Sequence, residues 1–134
     1  MSKYKTKTWH LNDPVYEVWV HVRVGKNLED FGKYLKKYYK RPIKDTFKGD
    51  INMGAYCGDI VSVKNGQILG YCIWIHDFDW TIDCQATTIH ELFHLVNRIL
   101  ERRGIYDDVN TDEPHAYYLS YWMKRLWRLF KIYR

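Results

Sequence analysis

The sequence predicts an α+β fold with a small, mostly antiparallel sheet, a helix carrying an HExxH motif and a long C-terminal helix. Three observations support this prediction. Residues 15–24 alternate between two kinds of side chain, Asn65-Gly66 separates two strand-like segments, and apolar residues recur at helical spacing after residue 80. The resulting element order, β-α-β-β-α-α, is typical of folds that keep their sheet and helices largely segregated.

The first strand is predicted over residues 15–24, where every even-numbered position is Tyr or Val. Such a period of two is typical of a strand with two distinct faces. Gly25 ends the strand, and Asn27 is placed to cap a helix with Asp30 three residues later. Pro42 sets the end of that helix, and residues 41–54 are predicted to form a loop.

A hairpin is predicted around Asn65-Gly66, the preferred pair for a two-residue type I′ turn. Its arms are residues 55–64 and 67–77, which are rich in β-branched and aromatic side chains. This register places Cys57 opposite Trp74 and Cys72 opposite Asp59. We therefore expect no disulfide across the hairpin and reduced cysteines throughout.

Two helices follow. The motif helix is predicted to begin near residues 81–83 and to end at Arg102-Arg103-Gly104, a basic turn followed by a glycine stop. The last helix starts around residues 111–114, with Pro114 in its first turn, and extends to about Lys131. We expect its apolar side to pack on the core and its cations to lie in solvent; these are Trp122, Leu126, Trp127 and Phe130 on one side, and Lys124, Arg125, Arg128 and Lys131 on the other.

Composition indicates one folded domain spanning residues 1–134. The chain is 46% hydrophobic and 17% aromatic, which is too rich in large apolar side chains for a disordered protein. No segment has the apolar length of a signal peptide or a membrane span. We therefore expect a cytoplasmic protein with no membrane partner.

The net charge of +5 is concentrated in residues 33–44 and 124–134. A basic surface attracts nucleic acid or acidic proteins. Charge runs of this size are also typical of ordinary solvated helix faces. The sequence thus predicts at most a weak nucleic-acid contact.

The motif His90-Glu91-Leu92-Phe93-His94 carries the chemistry. On a helix the two histidines project from one face one turn apart, which allows both imidazoles to bind a single Zn²⁺ ion. Glu91 is then placed to act as general base towards a zinc-activated water. The plain alternative is a pair of surface histidines hydrogen-bonded to neighbouring groups.

A catalytic zinc site usually has a third protein ligand and an open fourth position. The spacing of the HExxHxxGxxH class is absent, because no histidine follows His94 at its short spacing. Glu113 fits best among the downstream candidates, since a second helix packed antiparallel would return its carboxylate to the histidines. The other candidates are His115, which ranks second, and Asp107, Asp108 and Asp112.

The segments TTIHELFHLVNRILERRGI, from Thr87, and DEPHAYYL, from Asp112, resemble the gluzincin branch of zinc metallopeptidases. They are especially similar to small zincin-like proteins encoded by tailed bacteriophages, over about residues 87–121. The resemblance implies a minimal zincin-like domain acting in the host-cell cytoplasm. It also implies His90, His94 and Glu113 as zinc ligands and Glu91 as the catalytic base.

The resemblance also implies an edge strand at residues 70–77, against which an extended peptide or protein substrate would lie. Thermolysin-like gluzincins have an aspartate four residues after the ligand glutamate, where it orients the first histidine. This chain has Tyr117 there. Its hydroxyl is able to orient a histidine or to donate to a developing oxyanion, and simple packing is the alternative.

Two functions of different classes follow from these features. The first is a zinc-dependent metallopeptidase, a hydrolase in which Glu91 acts as base. The second is a zincin-fold binding protein with structural or vestigial metal, which contacts DNA or a protein partner through its basic, aromatic C-terminal helix. Glu91 favours the enzyme, because a structural site needs no base, whereas Tyr117 and the short chain favour the binding protein. A metal-free structural protein is a third reading.

Overall fold

The computed structural model describes residues 5–48 and 54–133, with side chains up to residue 132. These residues form an α+β structure, so the predicted fold class is confirmed. The chain divides into two compact units, Met1–Asp79 and Trp80–Arg134. The first unit contains β1 (Lys7–Asp13), β2 (Val18–Val24), α1 (Leu28–Tyr39), β3 (Ala55–Val61) and β4 (Ile68–Ile75), and the second contains α2 (Ile82–Glu101) and α3 (Asp112–Tyr133).

The sheet of the first unit has four strands in the order β1-β2-β4-β3. The outer pairs, β1 with β2 and β3 with β4, are antiparallel, whereas the central strands β2 and β4 run parallel. The predicted edge strand at residues 70–77 is therefore wrong. It corresponds to β4, whose backbone is paired on both sides and leaves no free edge for an extended peptide. The edges of this sheet are β1 and β3.

Strand β1 was not predicted from the sequence. Its segment KTWHLND offers only two strongly apolar side chains, Trp9 and Leu11, so the alternation is too weak to be distinctive. Residues 15–17, which were predicted to begin the next strand, instead lie in the turn between β1 and β2. Strand β2 therefore begins at Val18. In that turn the backbone N–H of Val15 donates to Asp13 Oδ1 at 2.9 Å, and Glu17 has a positive φ of 54°.

The hairpin of β3 and β4 exists, but its predicted register is wrong by one residue. Cys57 lies opposite Ile73 rather than Trp74, and Cys72 lies opposite Gly58 rather than Asp59. The strands are joined by a loop longer than the predicted two-residue turn, which changes the register. The loop is closed by a hydrogen bond from the Ser62 backbone N–H to the Gln67 carbonyl. A register shift between Ile60 and Val61 accompanies this loop.

Helix α1 packs on the sheet of its own unit. Asn27 caps it by accepting a hydrogen bond from the Asp30 backbone N–H, as predicted. The predicted loop at 41–54 extends past residue 48, and residues 49–53 lie outside the described part of the chain. A buried cluster joins α1, the described part of this loop and the sheet through Leu28, Phe31, Leu35, Ile43, Phe47, Ile60, Cys72 and Trp74.

Helices α2 and α3 begin and end close to the predicted residues. Thr81 caps α2 by accepting from the Cys84 backbone N–H, and Gly104 after its end has a φ of 78°. The apolar side of α3 is buried as predicted, with Trp122, Leu126 and Phe130 fully inaccessible to solvent. Trp127 is only half-buried, and so is Arg125, whose predicted place was in solvent. Within the described residues, none of the helices combines the length and apolar character needed to cross a bilayer.

Candidate metal centre

The HExxH motif lies in the middle of α2, on its solvent side. The buried side chains of this helix are Thr88, Leu92, Leu95, Val96, Ile99 and Leu100. Leu92 stands two residues from each histidine, which is about 200° around the helix. His90 and His94 therefore project almost opposite to the buried Leu92, and both are exposed.

The three side chains of the motif form one cluster. One possible ligand atom from each of His90, Glu91 and His94 lies within 4.8 Å of the other two. The two imidazole rings are 4.7 Å apart between centroids and nearly perpendicular. Glu91 Oε1 is 3.3 Å from His90 Nδ1, and the Glu91 side chain is 14% exposed against 68% for His90.

This donor set suits a divalent transition metal. Two imidazoles and a carboxylate are the ligand types of catalytic zinc centres. In a tetrahedral site with metal–ligand bonds of about 2.0–2.1 Å, neighbouring ligand atoms stand about 3.3 Å apart. The separation between Glu91 and His90 already has this value, and the ligand atom of His94 lies within 4.8 Å of both. The cluster thus fits zinc with Glu91 as a close neighbour of the metal.

Glu113 is not part of this cluster. The relation between α2 and α3 explains why, since Trp127 Nε1 donates to Gln85 Oε1 at 3.3 Å and marks the side of α2 that faces α3. His94 follows Gln85 by nine residues, a rotation of about 180°, so the histidines project away from α3. Glu113 lies in the first turn of α3. Its ligand role stays a prediction.

His115 was the second-ranked candidate for the third ligand. Its side chain is buried, and the residue is only 6% exposed. Its Nδ1–H donates to the Thr111 carbonyl at 2.8 Å. Its Nε2 atom is buried and has no hydrogen-bond partner among the described residues. A backbone carbonyl at Nδ1 is a common partner of histidines that bind a metal through Nε2, but His115 does not join the histidine pair of α2.

Tyr117 lies on an outward face of α3 and is 74% exposed. It borders a groove together with Tyr121, Lys124, Arg128 and other residues of α3. The other residues that line this groove all belong to α3, and none of them is a motif residue. The proposed catalytic role of Tyr117 stays a prediction.

A second polar cluster, not foreseen from the sequence, occupies the first unit. His10 and His21 are direct partners across β1 and β2, and their Nδ1 atoms are 2.6 Å apart. The Nε2 atom of His10 lies 2.7 Å from Tyr34 Oη, and that of His21 lies 2.5 Å from Tyr39 Oη. Only the register of the two strands reveals this pair, because its residues are eleven positions apart.

The direction of the hydrogen bonds in this cluster is set by the Leu69 carbonyl oxygen, which can only accept. Tyr39 donates its hydroxyl hydrogen to the Leu69 carbonyl, so it accepts from His21 Nε2–H. His21 Nδ1 then carries no hydrogen and accepts from His10 Nδ1–H, and His10 Nε2 accepts from Tyr34. The four bonds therefore run in one direction, and both histidines are neutral.

The surroundings of this hydrogen-bonded cluster keep its side chains neutral. Burial, with a smaller effect of His10, lowers the pKa of His21 to about 3. Partial burial and the nearby Arg23 lower the pKa of His10. Burial, with smaller effects from Tyr38 and Cys72, raises the pKa of Tyr39. The cluster is thus a satisfied internal network near neutral pH and not a proton donor.

In comparisons with known proteins, no family model, no curated protein and no solved structure matches this chain. The resemblance to gluzincins therefore depends on the motif segments alone, and every functional assignment has to be argued from the side chains themselves.

Proposed function

We propose that this protein is a zinc-dependent metallopeptidase whose metal centre is built on His90 and His94. The observation that carries the proposal is the convergence of two imidazoles and the Glu91 carboxylate within 4.8 Å on an exposed helix face. Exposure matters, because a peptide substrate has to reach the metal. When bound there, zinc would supply a Lewis acid that polarises a substrate carbonyl and promotes ionisation of water.

Glu91 has the central role among the chain's own groups. Its carboxylate takes a proton from the attacking water at a side-chain oxygen and later delivers that proton to the leaving amine. The side chain is largely shielded and lies beside His90, which holds the carboxylate close to the reacting groups. His90 and His94 act as neutral imidazoles that bind the ion. Glu113 remains the proposed third ligand.

A second candidate function is a binding protein with a non-catalytic zinc site, in which Glu91 is itself the third ligand. The specific observation in its favour is the 3.3 Å separation of Glu91 Oε1 and His90 Nδ1, the ligand spacing of a tetrahedral site. A carboxylate bound to the metal is less basic than a free one and is held in place by the ion, so this arrangement disfavours Glu91 as base. The two functions therefore differ in one measurable property, the zinc affinity of a chain without the Glu91 carboxylate.

The deciding experiment uses Glu91→Gln, which preserves the shape of the side chain and removes its charge and basicity. Zinc affinity is measured by competition with a chromophoric chelator for wild type and variant. Both zinc-loaded proteins are then incubated with an unbiased peptide library, and new termini are identified by mass spectrometry. Glu101→Gln is the matched control, because it makes the same change in an exposed glutamate of the same helix.

The peptidase proposal expects zinc affinity within a few-fold of wild type for Glu91→Gln, together with loss of most cleavage. A fall in zinc affinity of tenfold or more in Glu91→Gln, with Glu101→Gln unchanged, would instead identify Glu91 as a ligand and support the binding protein. Equal cleavage by wild type and Glu91→Gln would contradict the mechanism. Absence of cleavage by zinc-loaded wild type would count against the enzyme.

A further inference from the structure

A groove of about 430 Å³ lies along one outward face of α3, away from the motif histidines of α2. Its volume is within the range of small-ligand sites. The residues that line it recur at spacings of three and four, and so form one continuous stripe of the helix. They are Tyr117, Ser120, Tyr121, Lys124, Arg125 and Arg128.

This groove is strongly positive. Three of its six lining residues are cations, and α3 contains no acidic residue after Glu113. Lys124 and Arg128 are exposed and make no ion pair with any described residue. A stripe of uncompensated cations raises the local concentration of anions and favours a multiply charged partner.

The groove also presents aromatic surface beside its charge. The ring of Tyr117 is 74% exposed at one end. Tyr121 forms part of the floor, where Arg125 Nη1 donates to its hydroxyl at 3.1 Å. The same guanidinium lies 5.2 Å from the centroid of the Trp122 ring, a cation–π contact that holds it in place. The stripe therefore combines an accessible ring with one cation, Arg125, held in a defined geometry and two exposed cations.

We propose that this groove binds single-stranded nucleic acid. Phosphates would contact Lys124 and Arg128, Ser120 would donate a hydrogen bond to the backbone, and a base would stack on Tyr117. Stacking platforms between cations are the common means of sequence-tolerant single-strand binding. An acidic peptide would use the charges but leave the exposed ring unused, and a paired base within a duplex has no free face to stack on it. The proposal is independent of the metal centre.

The test is fluorescence anisotropy with a labelled single-stranded oligothymidylate, at several salt concentrations. With two cations in contact with phosphates, log Kd should rise with log salt with a slope of about 1.4. Lys124→Glu/Arg128→Glu should abolish most binding and flatten this slope. The matched control, Lys33→Glu/Lys37→Glu, makes the same charge change on the exposed side of α1 and should retain most of the affinity.

The ring is tested separately with Tyr117→Ala, which should weaken binding about tenfold, the effect of losing one stacked base. Tyr106→Ala, at a tyrosine that is 62% exposed in the loop before α3, should leave binding unchanged. The groove is not a single-strand site if the oligonucleotide fails to bind, if Lys33→Glu/Lys37→Glu weakens it as much as the α3 variant, or if Tyr117→Ala has no effect. Equal binding of a duplex or a polyglutamate peptide would also overturn the proposal, since charge alone would then explain it. His94→Ala should bind the oligonucleotide like wild type, which separates this site from the metal centre.

Discussion

His10 and His21 face each other across β1 and β2 with their Nδ1 atoms 2.6 Å apart. At this distance the two nitrogens share a single hydrogen, because two N–H groups cannot point at each other. Protonation of His21 would therefore require His10 to turn from donor to acceptor at Nδ1, and it would place a charge on His21, which is fully buried. The pair therefore links the stability of the first unit to pH.

The first prediction is that stability falls as the pH falls below about 6.5. The pKa of His21 is lowered to about 3 in the folded protein, against about 6.5 in an unfolded chain. Between these values the unfolded state binds a proton that the folded state does not, so stability rises with pH in this window. The slope contributed by His21 approaches about 1.4 kcal/mol per pH unit. Chemical denaturation at pH 5.0, 6.0 and 7.0 measures it.

The matching variant is His21→Gln, which keeps a polar side chain but cannot take up the proton. It should be less stable than wild type at pH 7 and should show a smaller pH slope between 5 and 7. His76→Gln removes another histidine of the first unit, outside this pair and outside the proposed metal centre, and serves as the control for the loss of any imidazole. An identical slope in wild type and His21→Gln would show that the pair does not control acid stability.

The second prediction concerns metal content. Protein purified without chelator should contain about one zinc per chain, as measured by atomic emission after desalting. His90→Ala and His94→Ala should each lose most of it, since either change leaves too few ligands. His76→Ala removes a histidine of the first unit, outside the motif, and should retain the metal. Full occupancy in both motif variants would eliminate the proposed centre.

The third prediction concerns the C-terminal helix. Ending the chain after Tyr121 removes Trp122, Leu126 and Phe130, all fully buried. Each large buried side chain contributes about 1.5–3 kcal/mol, so the truncated protein should lose several kcal/mol in its free energy of unfolding. A shorter truncation after Phe130 keeps all three side chains and should lose much less. Equal melting temperatures for full-length and Tyr121-truncated protein would mean that this half of α3 does not stabilise the fold.

The fourth prediction concerns Gly32 in α1. A Cβ atom added there would lie 2.8 Å from Cβ and Cγ of Phe47, and Phe47 is buried at 1% exposure. Helix propensity favours alanine over glycine by up to about 1 kcal/mol, whereas overpacking of a core costs about 1–3 kcal/mol. Gly32→Ala should therefore destabilise the protein in urea denaturation. Lys33→Ala, at the exposed neighbouring position, is the control for a change in helix propensity without a change in core packing. A gain in stability for Gly32→Ala would show that Phe47 moves aside without cost.

Local sequence patterns were sufficient to predict most element boundaries. Asn27 and Thr81 cap helices through their own side chains, and Gly104 stops α2 with a positive φ. These interactions lie within a few residues along the chain, so the sequence displays both partners. The motif cluster belongs to the same category, because a helix places His94 beside both His90, four residues earlier, and Glu91, three residues earlier, without help from the rest of the fold.

Tertiary structure decided what depends on distant contacts. The hairpin register depended on the shape of its loop, and strand β1 depended on its pairing with β2. The pairing of His10 with His21 and the position of Glu113 outside the metal cluster depend on how separate elements align. A rotation of 100° per residue and a rise of 1.5 Å make such alignments sensitive to single residues. The sequence therefore determined the candidate metal ligands on α2, and the tertiary structure decided that Glu113 does not join them.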